Sequence, residues 1–232
     1  MGEAIWLPHL QRLAERYELH VPAHPGFLTS EGIDEIRDME DLVYHYLAYM
    51  DRMGWDSVDV LGLSLGGWIA AEIAARYPER VSRLVLAASV GIWIREKPIA
   101  DMFARDSRFP ERIKALLFHD IECPAAQMMP SPADMNLPDE VLINIMNALA
   151  ATAKIGWNPL MHDPRLESLL PRVRAETLVL WGAGDRLVPV DYAQKFGRLI
   201  PGARVEVIPE CGHLIPLEKP EEFHRAVTAF LD

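Results

Sequence analysis

The fold is decided at residues 58–70, which read VDVLGLSLGGWIA. An apolar, β-branched stretch runs into Gly-x-Ser-x-Gly-Gly, and a helical pattern follows at once, so Ser64 is predicted at a tight strand-to-helix turn. Such a turn requires nearly side-chain-free flanks, and Gly62 and Gly66 provide them. It places the serine oxygen at a helix N-terminus, where backbone N–H groups stabilise an oxyanion. The alternative is a glycine-rich turn in which Ser64 only caps the helix.

Two further residues follow predicted strands in the order that a serine nucleophile requires. A buried strand over Thr177–Gly182 precedes Asp185, and a short alternating strand over Ala203–Ile208 precedes His213. A serine needs a base, and the base needs an orienting acid. In this architecture the chain order is serine, acid, histidine. Each loop residue alone is modest evidence, but both in the required order indicate a Ser-His-Asp site.

With these motifs the chain resembles the α/β-hydrolase superfamily over nearly all 232 residues. The carriers are Gly62–Gly67, Trp181–Asp185, Cys211–His213, Tyr77–Val81 and Pro220–Phe223. The resemblance implies an α/β fold with a mostly parallel sheet flanked by helices. It also implies that Ser64 is the nucleophile, His213 the base and Asp185 the acid, with the backbone N–H of Leu65 donating to the oxyanion. Some relatives place the acid one strand earlier, but Ser89–Trp93 contains none, which favours Asp185.

The N-terminal region departs from the family pattern. Relatives carry an early apolar strand and a His-Gly-type loop that donates a second oxyanion N–H, whereas Met1–Ile5 leads straight into a predicted helix, Trp6–Tyr17. A short strand is predicted at Glu18–Pro22. We therefore expect that the N-terminal strand with the oxyanion loop is missing, more readily by truncation than by unusual closure of the sheet. A truncated, inactive or binding-only relative is the alternative to an enzyme.

The composition limits the classes of partner that the protein can bind. The net charge of −11 argues against nucleic acid and against anionic membrane surfaces, both of which need clustered Lys and Arg. Cys123 and Cys211 are far apart and lack metal-like spacing, which fits a reducing cytoplasm. The sequence has no zinc motif, dinucleotide fingerprint or phosphate loop, so we expect no metal and no cofactor. It leaves the oligomeric state open.

The predicted alternation of strands and helices stops between Trp93 and about Pro171. Residues 1–92 and 172–232 are predicted to form the core, and residues 93–171 a helical cap inserted in it. Helices are predicted at Pro98–Ala104, Pro110–Phe118 and Pro138–Ala153. The cap is rich in methionine, which suits an adaptable apolar pocket. Trp93 and Trp157, at its ends, are candidate substrate contacts, although core packing is the commoner role of such residues.

Together these observations predict a serine hydrolase that transfers an acyl group to water. By the resemblance, a serine at the elbow argues against haloalkane dehalogenase and epoxide hydrolase chemistry, which use an aspartate there. The expected substrate is a medium-sized, largely apolar small molecule: an ester, a lactone or a vinylogous diketone cleaved at a carbon–carbon bond. The sequence does not choose among these.

Overall fold

A computed structural model describes residues 7–101, 110–129 and 137–232. Its centre is a parallel sheet in the order β1-β2-β3-β4, which confirms the predicted α/β class. The strands are β1 Val58–Leu63, β2 Val81–Ala87, β3 Glu176–Gly182 and β4 Arg204–Ile208. Their carboxyl ends are in register: Leu63 pairs with Ala87, and Gly182 pairs with Ile208. The loops that leave these ends therefore meet at one edge of the sheet.

Helices connect and cover the strands. The α-helices are α1 Pro8–Ala14, α2 Met39–Met53, α3 Leu65–Arg76, α4 Pro110–Leu117, α5 Pro124–Met128, α6 Asp139–Gly156, α7 Leu166–Leu169, α8 Asp191–Leu199, α9 Ile215–Glu218 and α10 Pro220–Leu231. Short 3₁₀ turns lie at Ile33–Glu35, Pro78–Arg80 and Leu170–Arg172. Along the described part of the chain, no helix is both long enough and apolar enough to cross a membrane.

Local sequence explains where the helices beside the nucleophile strand begin and how closely they pack. The Asp38 side chain caps α2 by accepting from the N–H groups of Glu40 and Asp41, and Gly54 ends that helix with φ of 74°. The buried face of α3 contains Gly67, Ala70, Ala71, Ala74 and Ala75. Small side chains let α3 lie close against β1 and β2, so its N-terminus is held firmly above the sheet.

The core lies around the two inner strands. Residues Leu84–Ala87 of β2 and Leu178–Trp181 of β3 are at most 1% exposed, as expected when helices cover both faces of a parallel sheet. The Trp181 indole donates to the carbonyl of Val188 at 2.9 Å, so this large side chain is buried without an unpaired N–H. The inner strands form a rigid base for the loops at their carboxyl ends.

Two predicted elements are wrong. Glu18–Pro22 is not a strand, because β1 pairs only with β2 and no described strand lies beside residues 18–22. Residues 98–101 of the predicted helix Pro98–Ala104 are irregular, and the rest of that helix lies outside the described residues. Met1–Ile5, on which the expectation of a missing oxyanion loop rests, also lies outside them. Between residues 93 and 171 the described segments contain helices α4 to α7 and no strand.

Candidate active site

Ser64 is the single residue between β1 and α3, and its backbone is strained. Its φ of 55° and ψ of −114° lie outside the regions that L-residues normally occupy. Such strain persists only where the surrounding structure enforces it, and it clusters at functional sites. Here β1 on one side and the tightly packed α3 on the other impose the turn. The Ser64 hydroxyl therefore stands at the carboxyl edge of the sheet.

The glycines around Ser64 have different roles from those predicted. A Cβ at Gly62 would lie 2.3 Å from the carbonyl oxygen of Gly66, so this position admits only glycine. A Cβ at Gly66 would have nothing within 4 Å, whereas one at Gly67 would lie 2.6 Å from Ser89 Oγ. The close approaches are thus at Gly62 and Gly67, and the expectation that Gly66 is needed for space is wrong.

Asp185 lies in the loop after β3 and is held from both sides. Its Oδ1 accepts the N–H groups of Leu187 at 2.9 Å and Val188 at 2.8 Å. Its Oδ2 lies 2.8 Å from Nδ1 of His213. Because two amides fix one carboxylate oxygen, the other is aimed steadily at the imidazole.

His213 lies in the loop after β4 and joins the two other predicted residues. Its Nε2 is 2.9 Å from Ser64 Oγ, while its Nδ1 faces Asp185. The imidazole is 2% exposed, so the ion pair that would form on protonation is shielded from water. The structure thus brings together three side chains that the sequence places as far as 149 positions apart. In chemical terms, the arrangement can remove the hydroxyl proton of Ser64 and hold the resulting charged imidazole.

The acid loop and the histidine loop lie backbone against backbone. The N–H of Gly184 donates to the carbonyl of Cys211 at 2.8 Å, and a Cβ at Gly182 would lie 2.2 Å from the carbonyl of Gly212. Burial raises the pKa of the Cys211 thiol to about 12, which keeps it neutral at ordinary pH. Cys211 is therefore a packing residue beside the site.

A small apolar cavity adjoins Ser64. Besides the serine it is lined by Val90, Ile99, Ala100, Leu160, Met161 and Leu187. The sequence predicts that methionines of residues 93–171 surround an apolar pocket. Met161 is the methionine among the lining residues named above. Val90 and Leu187 follow the carboxyl ends of β2 and β3 closely, and this position in the sequence could have predicted that they line the site. Ile99 and Leu160 lie in irregular segments, where no sequence pattern predicts such a role.

The two predicted tryptophans lie away from this lining. Trp93 stacks on His162 with ring centroids 5.0 Å apart, and its carbonyl accepts from Lys195 Nζ at 2.7 Å. Trp157 follows α6 and is 55% exposed. Neither borders the cavity beside Ser64, and their contact with substrate stays a prediction.

Leu65 is the first residue of α3. The first N–H groups of a helix have no acceptor within it, so the Leu65 amide is available beside the Ser64 hydroxyl. The positive end of the helix dipole adds to its attraction for an anion. Within the described ranges, His, Cys, Asp and Glu side chains form no group that could hold a metal ion.

Comparison with known proteins places the chain in a family. The profile of a family described as "alpha/beta hydrolase fold" matches residues 3–220. A 2-hydroxy-6-oxononadienedioate/2-hydroxy-6-oxononatrienedioate hydrolase of Comamonas testosteroni is 30% identical, over 93% of this chain and 77% of its own. A 2-hydroxy-6-oxo-6-phenylhexa-2,4-dienoate hydrolase of Burkholderia cepacia is 27% identical, over 94% of this chain and 78% of its own.

Solved structures share the fold. A membrane phospholipase A described as a bacterial virulence factor superposes with a TM-score of 0.75 at 26% identity, over 98% of this chain and 74% of that one. The 2-hydroxy-6-oxo-6-phenylhexa-2,4-dienoate hydrolase of Rhodococcus sp. strain RHA1 gives a TM-score of 0.75 at 23% identity, over 97% and 84%. At 23% identity, the similarity to the Rhodococcus enzyme shows a shared fold and nothing more.

Proposed function

We propose, from the premise that this chain is a hydrolase belonging to the α/β-hydrolase family, that it cleaves a carbonyl substrate through Ser64, His213 and Asp185. The observation that carries the proposal is the unbroken hydrogen-bond chain from Ser64 Oγ to His213 Nε2, at 2.9 Å, and from His213 Nδ1 to Asp185 Oδ2, at 2.8 Å. These are the distances that proton transfer between a nucleophile and its base requires.

Each step of the proposed reaction has a residue to perform it. Ser64 Oγ attacks the carbonyl carbon while His213 Nε2 accepts its proton, and Asp185 stabilises the imidazolium. The N–H of Leu65 donates to the oxygen that becomes negative. His213 then returns the proton to the leaving group, which leaves an acyl group on Ser64. Water, deprotonated by the same histidine, hydrolyses that ester and restores the enzyme.

For the substrate we propose a neutral, largely apolar ester or lactone. The six residues that line the cavity with Ser64 are all apolar, so they favour an uncharged acyl group. The cation next to Asp185 in sequence already has a partner, because Arg186 donates to the carbonyl of Ala115 at 3.0 Å.

The names of the relatives favour a second candidate. Several are called hydrolases of 2-hydroxy-6-oxo dienoates, compounds whose names imply a carboxylate and a ketone. A chain acting on such a compound would cleave a carbon–carbon bond beside the ketone. Carboxylate recognition normally uses Arg or Lys, and neither is among the lining residues within the described part of the chain. We therefore rank an ester or lactone first.

The test of the nucleophile is labelling with a fluorophosphonate. We expect the reagent to modify Ser64, because His213 activates that hydroxyl alone. Ser64→Ala should abolish both labelling and hydrolysis of a p-nitrophenyl ester. Ser82→Ala is the matched control, since Ser82 is an exposed serine of β2 that bonds to Ser57. Labelling of another residue, or none on folded protein, would refute the proposal and support the inactive or binding-only alternative.

The substrate class is tested by comparing kcat/KM for neutral p-nitrophenyl esters with that for 2-hydroxy-6-oxo-6-phenylhexa-2,4-dienoate. We expect the esters to be preferred. A clear preference for the dienoate, with Ser64 still labelled, would support the proposed triad but show that the protein cleaves a carbon–carbon bond rather than an ester.

A further inference from the structure

The C-terminal turn of α4, residues 115–120, lies against both catalytic loops; we call it the α4 turn. The N–H groups of His213 and Leu214 both donate to the carbonyl of Leu117, at 2.8 and 3.1 Å. On the acid loop, Arg186, next to Asp185, donates to the carbonyl of Ala115 at 3.0 Å. One element of the insertion thus bonds to the backbone of the base and to the neighbour of the acid.

The packing between the α4 turn and the loops leaves no free space. A Cβ at Gly212 would lie 2.7 Å from the carbonyl oxygen of Leu117 and from the amide nitrogen of His119. A Cβ at Gly184, in the acid loop, would lie 2.4 Å from Nδ1 of His119. Because these contacts involve mainly backbone atoms, a displacement of the α4 turn must displace the loop that carries His213.

Glu218, in α9, fastens the same junction. Its Oε2 accepts the N–H of Gly212 at 2.6 Å and that of His119 at 3.1 Å, while its Oε1 accepts the N–H of Asp120 at 2.8 Å. One carboxylate therefore bridges the residue before His213 and the end of the α4 turn. Bonds from neutral amides to a charged acceptor are about twice as strong as neutral ones.

We infer that Glu218 is a positioning residue that holds His213 between Ser64 and Asp185 through the α4 turn; the inference rests on the proposed function. In this arrangement the insertion does more than cover the substrate, because its first described helix forms part of the support of the base. A glutamine at position 218 has a single acceptor oxygen and presents an NH₂ group to amides that are themselves donors. Whichever way the amide is turned, at least one of the three N–H donors then faces the NH₂ group, and the charge that strengthens all three bonds is lost.

The experiment measures Glu218→Gln against Glu222→Gln. The control removes the same charge four positions further along, in the first turn of α10. Among the described residues, no hydrogen bond or ion pair joins Glu222 to the catalytic loops. We expect Glu218→Gln to lower kcat for a p-nitrophenyl ester by about 10- to 100-fold with little change in KM, because small misplacements of a catalytic group have costs of this size. Glu222→Gln should match the wild type.

Two readouts separate positioning from stability. Active sites are counted by fluorophosphonate titration, so that kcat refers to folded enzyme only. The pH profile of kcat/KM is recorded for Glu218→Gln and for Glu218→Asp, which keeps the charge, and we expect both profiles to differ from the wild type because a displaced His213 no longer keeps its contact with Asp185. If Glu218→Gln does not fold, Glu218→Asp keeps the charge but has a shorter reach, and we expect the same changes at smaller size.

The outcomes distinguish the two claims. A wild-type protein that neither labels nor hydrolyses the ester contradicts the proposed function. An active wild type whose Glu218 variants keep full kcat per titrated site and an unshifted pH profile overturns the positioning role of Glu218 alone, even if those variants unfold at a lower temperature.

Discussion

At the scale of single residues, the site depends on which buried aspartate faces the imidazole. Asp185 and Asp163 are 6% and 7% exposed. Asp185 accepts two backbone amides and faces His213, whereas Asp163 bonds to Arg76 at 3.2 Å and to Arg165 at 3.1 Å. Burial opposes the charge of Asp163, but hydrogen bonds from Arg165 and the charge of Arg76 outweigh it, so its pKa is lowered. One aspartate is available to a base and the other serves an ion-pair network.

The two aspartates should therefore respond differently to the same substitution. Asp185→Asn should keep the fold and lower kcat by about 10⁴-fold, because His213 is then held in the wrong tautomer. Asp163→Asn should keep kcat and lower the melting temperature. Steady-state kinetics and thermal unfolding at pH 7 measure both. Near-normal turnover in Asp185→Asn would assign the acid elsewhere.

The lowered pKa of Asp163 also sets the pH range of its contribution. A depressed carboxyl pKa stabilises the fold above the unfolded value of about 3.9 and loses that effect as pH falls through the folded value. The difference in melting temperature between wild type and Asp163→Asn should accordingly shrink below about pH 4. A constant difference across that range would contradict the ion-pair explanation.

At the scale of elements, the strands around the site could be predicted because local sequence determines them. Apolar, β-branched runs give β1, β2, β3 and β4 within a few residues, and the polar residue after each carboxyl end locates Asp185 and His213. Glu18–Pro22 has a similar local pattern and still forms no strand, because a strand also needs a partner to bond to. The cavity lining could not be predicted either, because it also depends on contacts between distant parts of the chain. Ile99 and Leu160 lie beside Ser64 through tertiary packing, which no local sequence pattern encodes.

The turn between β1 and α3 allows a test within one motif. Gly62→Ala should destabilise the protein severely, since its Cβ would lie 2.3 Å from a backbone oxygen. Gly66→Ala should fold and be as stable as the wild type or more stable, because its Cβ meets nothing within 4 Å and alanine favours a helix over glycine by up to about 1 kcal/mol. Urea unfolding of both variants measures this. Equal destabilisation would contradict the assignment of the close contact to Gly62.

At the scale of the whole molecule, the predicted cap at residues 93–171 is joined to the predicted core at several places. Lys154, near the end of α6, donates to the carbonyl of Ile33 at 2.6 Å, and the N–H of Gly91 donates to the carbonyl of Met161 at 2.9 Å. The second contact brings Met161 beside Ser64. We propose that this insertion sets the choice of substrate, with Met161 rather than the tryptophans as its main contact.

Met161→Ala should therefore raise kcat/KM for long acyl esters relative to short ones by about 10-fold or more, because one or two methylenes in an apolar pocket have effects of that size. Trp157→Ala should change the ratio less, since Trp157 does not border the cavity. The measurement is a chain-length series of p-nitrophenyl esters. A larger change in this kcat/KM ratio for Trp157→Ala than for Met161→Ala would indicate that Trp157, and not Met161, is the main substrate contact.

The distance in sequence between Ser64 and His213 also has a consequence for the timing of activity during protein synthesis. The two side chains meet across 149 positions. At about 5 to 20 residues per second, a ribosome needs roughly 7 to 30 seconds to add His213 after Ser64. Throughout that interval the nascent polypeptide carries an ordinary, unactivated hydroxyl. On the proposed mechanism, hydrolytic activity is thus withheld until the histidine loop has been synthesised, and a chain terminated before that loop would be released without it.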